Sequence, residues 1–241
     1  MTLIFAFSIV LGLIILFIVS QILKVFDLKG SLAALVVGLI IVFFGSLQWL
    51  ILLLIFAVVS HFATKAMFDM KKARKLQEGE HGERSTSNVL YAGIIGLAIA
   101  CINFAHTLLN SAPFGYFELF AISFSVINSD TFASELGVVD KNVYMITTFK
   151  RTTPGVNGGV SLTGEAAAFF GALIIGVSYS ILAFGTLRIV PIVFVTGMGF
   201  LGCQIDSILG ALFENEGKMS KGQVNFFSAF VSVVVSALVL L

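Results

Sequence analysis

The chain of 241 residues is 58% hydrophobic and 11% charged, with a formal net charge of +1, whereas soluble globular proteins carry roughly 25% charged residues. This composition excludes a soluble globular domain. A near-neutral charge dispersed over loops carries no nucleic-acid signature, and Cys101 and Cys203 lie in apolar segments without metal-ligand spacing, which argues against a disulfide or zinc site.

Hydropathy places eight spans, at residues 3–23, 30–45, 48–66, 87–105, 114–137, 160–182, 189–213 and 224–241. The expected fold is an all-α polytopic transmembrane helix bundle of about eight spans, some short or broken, forming one domain over 1–241. The first apolar segment has no basic n-region or small-residue cleavage site, so it is expected to be a retained helix. The apolar run 31–60 exceeds one straight helix, and Gly45-Ser46 supplies a turn near its middle. The second span is then short, and a re-entrant pair is its alternative.

Thirteen of the fourteen basic residues fall in the odd-numbered loops, Arg188 being the exception. The positive-inside rule makes those loops cytoplasmic and puts both termini outside, in the plasma membrane of a prokaryote. Two of these loops are long. Residues 65–87 are polar, charge-mixed and helix-prone, suiting either a solvated helix held at the headgroups by its lysines or a grip on anionic substrate. Residues 138–160 form a Gly-rich loop.

The fifth span delivers Asp130 and Glu135 (SDTFASELG, Ser129 to Gly137). A carboxylate in a bilayer span costs about 2.5–3.5 kcal/mol even on the mildest scale, so it marks a functional candidate. Asp130, Ser134 and Gly137 share one helical face; Glu135 lies about 140° from Asp130 on a regular helix. Either the helix breaks near Ser129 or the two carboxylates do separate work. In the seventh span Gly199, Gly202, Asp206 and Gly210 share one face, where small residues admit a neighbouring helix. Asp130 with Asp206 is the preferred metal pair, for Mg²⁺ held by oxygen ligands, waters and substrate phosphates.

The loop TTFKRTTPGVNGGVS (Thr147 to Ser161) suits an anion cradle. Gly155, Gly158 and Gly159 permit positive φ, Asn157 lies among them, and Lys150 and Arg151 bring positive charge. Ser161 is placed to cap the next helix, whose N-terminus would add donors, with Glu165 one turn in. No Walker motif occurs. Asn88 and Asn225 near helix starts suit ligand orientation or interhelical hydrogen bonding, Glu118 suits snorkelling, and no nucleophilic triad is evident.

SDTFASELG, TTFKRTTPGVNGGVS and GFLGCQIDSILGALFE (Gly199 to Glu214) resemble an integral membrane family long of unknown function that includes the plant phytyl-phosphate kinase of tocopherol synthesis. The pattern is distantly similar to CTP-dependent dolichol and phytol kinases. The resemblance implies transfer of a nucleotide γ-phosphoryl group, from CTP or another NTP, to an isoprenyl monophosphate such as phytyl or geranylgeranyl phosphate. The motif positions it carries onto this chain are Asp130, Ser134, Glu135, Lys150, Gly155, Gly158, Gly159, Ser161 and Asp206. Of these Asp130, Glu135, Lys150 and Asp206 are expected to be catalytic, and the glycines and Ser161, with Arg151, Asn157 and Glu165 from the loop itself, nucleotide-binding. Arg74, Arg84 and Asn88 are then contacts to the acceptor phosphate. Val156 stands where the family pattern has Thr. Expected partners are the lipid monophosphate, the nucleotide and membrane lipids, with an oligomer not excluded. The rival readings are a secondary transporter of a phosphorylated or anionic solute, a CDP-lipid-forming nucleotidyltransferase and a non-catalytic scaffold.

Overall fold

The computed structural model describes residues 3–84, 86–109 and 114–241, with side chains from residue 7 and without that of residue 88. Its elements in chain order are α1 (Leu3–Leu23), α2 (Leu28–Phe44), α3 (Leu47–Lys65), α4 (Phe68–Ala73), α5 (Thr86–Leu108) and α6 (Tyr116–Gly137). The strands β1 (Val143–Met145), β2 (Arg151–Thr152) and β3 (Gly159–Val160) follow, then α7 (Leu162–Phe184), α8 (Ile189–Leu209) and α9 (Lys221–Leu240). All eight expected spans are helices, and the protein is an almost wholly helical polytopic bundle. α3, α5, α7, α8 and α9 are each long and apolar enough to cross a membrane; the described apolar stretches of α1 and α2 are shorter.

The helix least like a membrane span is at the centre. α6 carries Ser, Asn, Asp, Thr and Glu along its length, yet every residue from Leu119 to Ser129 is buried. α3, α5, α7, α8 and α9 pack around it. Hydrocarbon offers no partners for such groups, so they find them in protein. Ser129 donates to Ala168 O (2.9 Å), and Ser125 to Val195 O (3.1 Å). Asn128 donates to Gly171 O (2.8 Å) and accepts from Ser60 Oγ (2.9 Å). Close approach makes this possible: a Cβ at Gly171 would lie 2.8 Å from Asn128 O, and one at Gly202 would strike Val126. The small-residue face expected on α8 is thus pressed against α6. Around the waist of α6 the apolar core holds Trp49, Phe56, Phe120, Phe124 and Ile175.

The turn at Gly45-Ser46 is where α2 gives way to α3. Gly is required there because a Cβ would sit 2.7 Å from the Trp49 ring. The segment 65–87 departs from expectation: among the described residues between α3 and α5, only α4 is helical, six residues long. Its anchor is Lys71, fully buried, whose Nζ donates to Thr64 O (2.7 Å) and reaches Glu135 at 2.6 Å. Glu118, expected to snorkel, is instead half-buried and hydrogen-bonded to Tyr179.

Segments 24–27, 66–84, 138–161 and 210–220 gather at one end of the bundle. Phe26 bridges Arg84, Arg84 reaches Thr131, Arg74 donates to Val138 O (3.0 Å), and Asn215 donates to Asn157 O (2.9 Å). Arg188, on the α7–α8 connection, lies at the other end.

Candidate functional site

α6 runs unbroken to Gly137, so Asp130 and Glu135 face different surroundings. Glu135 is committed to Lys71. Asp130, with Ala133, Ser134 and Gly137 on its own face, lines a polar cavity of about 130 Å³ at the basic end of the bundle. The opposite wall is the C-terminal end of α8, with Asp206, Ser207, Gly210 and Glu214; Lys221 enters from the start of α9, and residues 154–161 close the third side. Asp130 and Asp206 line the same cavity and feel each other's charge, and Ser228 Oγ donates to Asp206 Oδ2 at 2.9 Å. Two adjacent carboxylates in an apolar bundle need a cation or a shared proton. The Lys221 ammonium is one nearby counter-charge.

α8 ends in a π turn, Gly210–Glu214, a distortion frequent at functional sites. In a regular helix eight residues leave Glu214 about 80° from the Asp206 face. The wider turn rotates the chain less per residue and keeps Glu214 on the cavity wall. There Glu214 faces Asn157, and the next residue, Asn215, donates to Asn157 O (2.9 Å), which ties the helix end to the Gly-rich loop. A Cβ on Gly158 would lie 2.6 Å from Ser207 O, so only glycine lets the loop seat this close.

The loop is a small antiparallel sheet of order β2-β1-β3, with Tyr144 opposite Arg151 on one side and Val160 on the other. Gly155 (φ 87°) and Gly158 (φ 75°) take the expected left-handed conformation. Gly159 does not: it sits extended in β3 opposite Met145, where a Cβ would lie 2.9 Å from Val156 O. Ser161 caps α7 by accepting from Gly164 N (3.2 Å), and Asp140 accepts from Thr163 N (3.0 Å) and Thr163 Oγ1 (2.9 Å). These caps use two of the N–H groups expected to serve an anion, and Asp140 already supplies negative charge to the helix end. Burial nudges the Asp140 carboxyl up slightly, but the Thr163 and Ser161 hydrogen bonds hold it below the ordinary carboxylate value.

The cavity therefore unites Asp130, Gly155, Asn157, Gly158, Gly159, Ser161, Glu165 and Asp206. Glu165 also accepts from Gln204 Nε2 at 2.9 Å. Lys150 and Arg151 are outside it, both exposed on the β1–β2 hairpin, and Arg151 is bonded to Asn142. Positive charge comes instead from Lys221, which the sequence reading left among loop lysines. Its signal was the capping box Ser220-Lys-Gly-Gln223, both halves of which form and start α9 three residues before the expected 224. A lysine in a helix's first turn opposes the helix dipole and so calls for acidic company. Arg84 is half-buried, its Nη2 donating to Thr131 Oγ1 at 3.1 Å, and desolvation lowers the proton affinity of its guanidinium against the pull of Glu135, Glu78 and Asp130. Arg74 is exposed, and the Asn88 side chain lies outside the described residues.

Among the described residues no three His, Cys, Asp or Glu side chains are grouped closely enough to hold a metal alone. The protein offers two carboxylates on rigid helices, with Glu214 nearby. The Asn225 Oδ1 oxygen, one turn before Ser228, is buried without a hydrogen-bond partner. Such an all-oxygen, incomplete set fits magnesium, which keeps waters and substrate phosphates among its ligands.

Comparison with known proteins agrees with the membrane architecture. An uncharacterized membrane protein, MJ0933, of Methanocaldococcus jannaschii is 33% identical over 214 residues, 88% of this chain and 85% of the relative. Protein PGR of Arabidopsis thaliana is 29% identical over 218 residues, covering 80% and 74%. Protein VTE6, chloroplastic, of the same plant is 31% identical over 133 residues, covering 51% of this chain and 39% of VTE6. No solved structure matches significantly. Residues 11–233, from α1 to α9 and with every wall of the cavity, match the family described as "Integral membrane protein DUF92", and the chain belongs to that family.

Proposed function

We propose that the protein is a membrane phosphotransferase of the phytyl-phosphate kinase type, moving the γ-phosphoryl group of a nucleoside triphosphate, CTP for preference, onto an isoprenyl monophosphate. The observation that carries this reading is the convergence of Asp130, Asp206, Lys221 and the 154–161 loop on one polar cavity at the basic end of the bundle. The motif resemblance and the partial similarity to VTE6 support the reaction class. The positive-inside rule puts this end in the cytoplasm, where nucleotides are.

Lys221 holds the nucleotide's phosphate oxygens, and the loop covers them with backbone. Asp130 and Asp206 would hold Mg²⁺, which supplies charge neutralisation to the phosphates. Ser207 offers a hydroxyl donor from the α8 wall. An oxygen of the acceptor monophosphate attacks the γ-phosphorus, the bond to the β–γ bridging oxygen breaks, and nucleoside diphosphate leaves. The acceptor is already anionic, so no general base is needed, and positioning with charge neutralisation supplies most of the catalysis. A transporter places its site near the bilayer midplane; this cavity lies at one end.

The test uses purified protein in detergent with Mg²⁺, γ-labelled nucleotides and isoprenyl monophosphates. Label should enter lipid as a diphosphate with release of nucleoside diphosphate. Asp130→Asn and Asp206→Asn should each lower kcat by about 10²-fold or more, as loss of an electrostatic contact to the transferring group does. Lys221→Gln should chiefly raise the nucleotide KM. Pyrophosphate release would identify a nucleotidyltransferase; unchanged turnover in Asp130→Asn would remove the assignment.

A further inference from the structure

A second cavity, of about 260 Å³, lies between α1, α2, α3 and α5. Its inner wall is apolar, with Leu13, Val37, Leu50, Phe56 and Phe124. Its outer rim is formed by Leu16, Leu23, Val58 and Phe62, which are also exposed on the outside of the bundle. The slot is therefore open sideways, toward the acyl chains that surround a membrane protein, and its contents enter from the bilayer.

One end of this slot is not apolar. Arg84 lines it, and the Arg84 Nε is buried without a hydrogen-bond partner. The position is fixed by backbone bonds on both sides, Arg84 N to Val25 O and Asp27 N to Arg84 O, each 3.1 Å. A buried guanidinium edge with an unused donor is a place for an anionic oxygen, and the planar fork favours phosphate or carboxylate. Its Nη2 donates to Thr131, the residue after Asp130. Consecutive residues on a helix point about 100° apart, so α6 presents Asp130 to the polar cavity and Thr131 to Arg84. The end of the apolar slot and the polar cavity thus lie on two sides of one helical turn.

We propose that this slot is the acceptor site: it takes the single apolar chain of a lipid monophosphate, whose head is held at Arg84 and turned toward Asp130. The chain and the anionic head follow from the slot itself; the choice of phosphate rests on the phosphotransferase reading above.

The experiment is photolabelling of the full-length protein in nanodiscs, with an isoprenyl monophosphate carrying a diazirine in its chain and the uncharged alcohol of the same chain. Labelled peptides should fall in α1, α2, α3 and α5. Arg84→Gln should lower labelling by the phosphate probe about tenfold, the loss of one charge-assisted contact, and leave the alcohol probe unchanged. Gly93 lines the slot, and a Cβ there would meet nothing nearer than Val37 at 3.6 Å. Gly93→Leu should therefore fold and block both probes. Labelling on the α7–α8 face, or labelling indifferent to both substitutions, overturns the slot. Displacement of both probes by bulk phospholipid at equal mole fraction shows ordinary bilayer chains there and also overturns it. Turnover is scored separately: Arg84-dependent label in the slot without phosphoryl transfer keeps the lipid-phosphate site while the kinase reading fails. Transfer with label elsewhere does the reverse.

Discussion

At the scale of single residues, the neighbourhood of a charge decides its work more than its type does. Asp130 and Glu135 are five positions apart on one helix, yet one lines a cavity and the other is buried against a lysine. Lys221 and Lys218 are equivalent in composition. Lys221 lines the cavity, with Glu78 at 4.0 Å, and Lys218 pairs with Glu216 in the open. Asp140 makes a pH prediction. Its carboxyl is held below its ordinary value by the Thr163 and Ser161 bonds. Its stabilisation of the α7 start is therefore full above the unfolded value, near 3.9, and is lost as pH falls through the lower folded value. Thermal melts of wild type and Asp140→Asn should differ at neutral pH and converge on acidification; a constant gap would overturn the capping role.

Among the elements, α4 shows how a short helix is fixed. Six residues are too few to be stable alone, and buried Lys71 binds α4 to the ends of α3 and α6 through Thr64 O and Glu135. Removing one partner of a buried pair leaves a lone charge, at a cost of about 3–5 kcal/mol. Lys71→Met should thus be strongly destabilised in detergent unfolding, and Lys71→Met with Glu135→Leu should recover most of the loss. A double variant as weak as the single one would overturn the pairing as the cause. The sequence offered no means of finding this lysine, because Lys71 and Lys72 are adjacent and only packing buries one of them. The site glycines were partly legible: Gly155 and Gly158 are needed for positive φ, Gly158 also for its contact with Ser207, whereas Gly159 belongs to a strand.

For the whole molecule, alternation of eight helices puts thirteen basic residues at one end and Arg188 at the other. A membrane-impermeant thiol reagent applied to sealed cells should distinguish Arg188→Cys from Lys218→Cys in a background lacking Cys101 and Cys203. The first should react from outside and the second only after permeabilisation. Reaction of both from the same side would remove the eight-span layout.

By itself the sequence determined the eight long helices and the loop asymmetry, because these follow from runs of apolar residues and from charges that cannot be left in hydrocarbon. It also marked Asp130, Asp206 and the Gly-rich loop, since polar groups in apolar surroundings are costly wherever the chain goes. The tertiary structure alone decided which of them meet. Lys221 enters the cavity and Lys150 does not, Glu135 is spent on Lys71, and Arg84 lines the apolar slot. Such pairings depend on which helices pack around α6 and at what rotation, and contacts between residues far apart in sequence leave no trace in local periodicity.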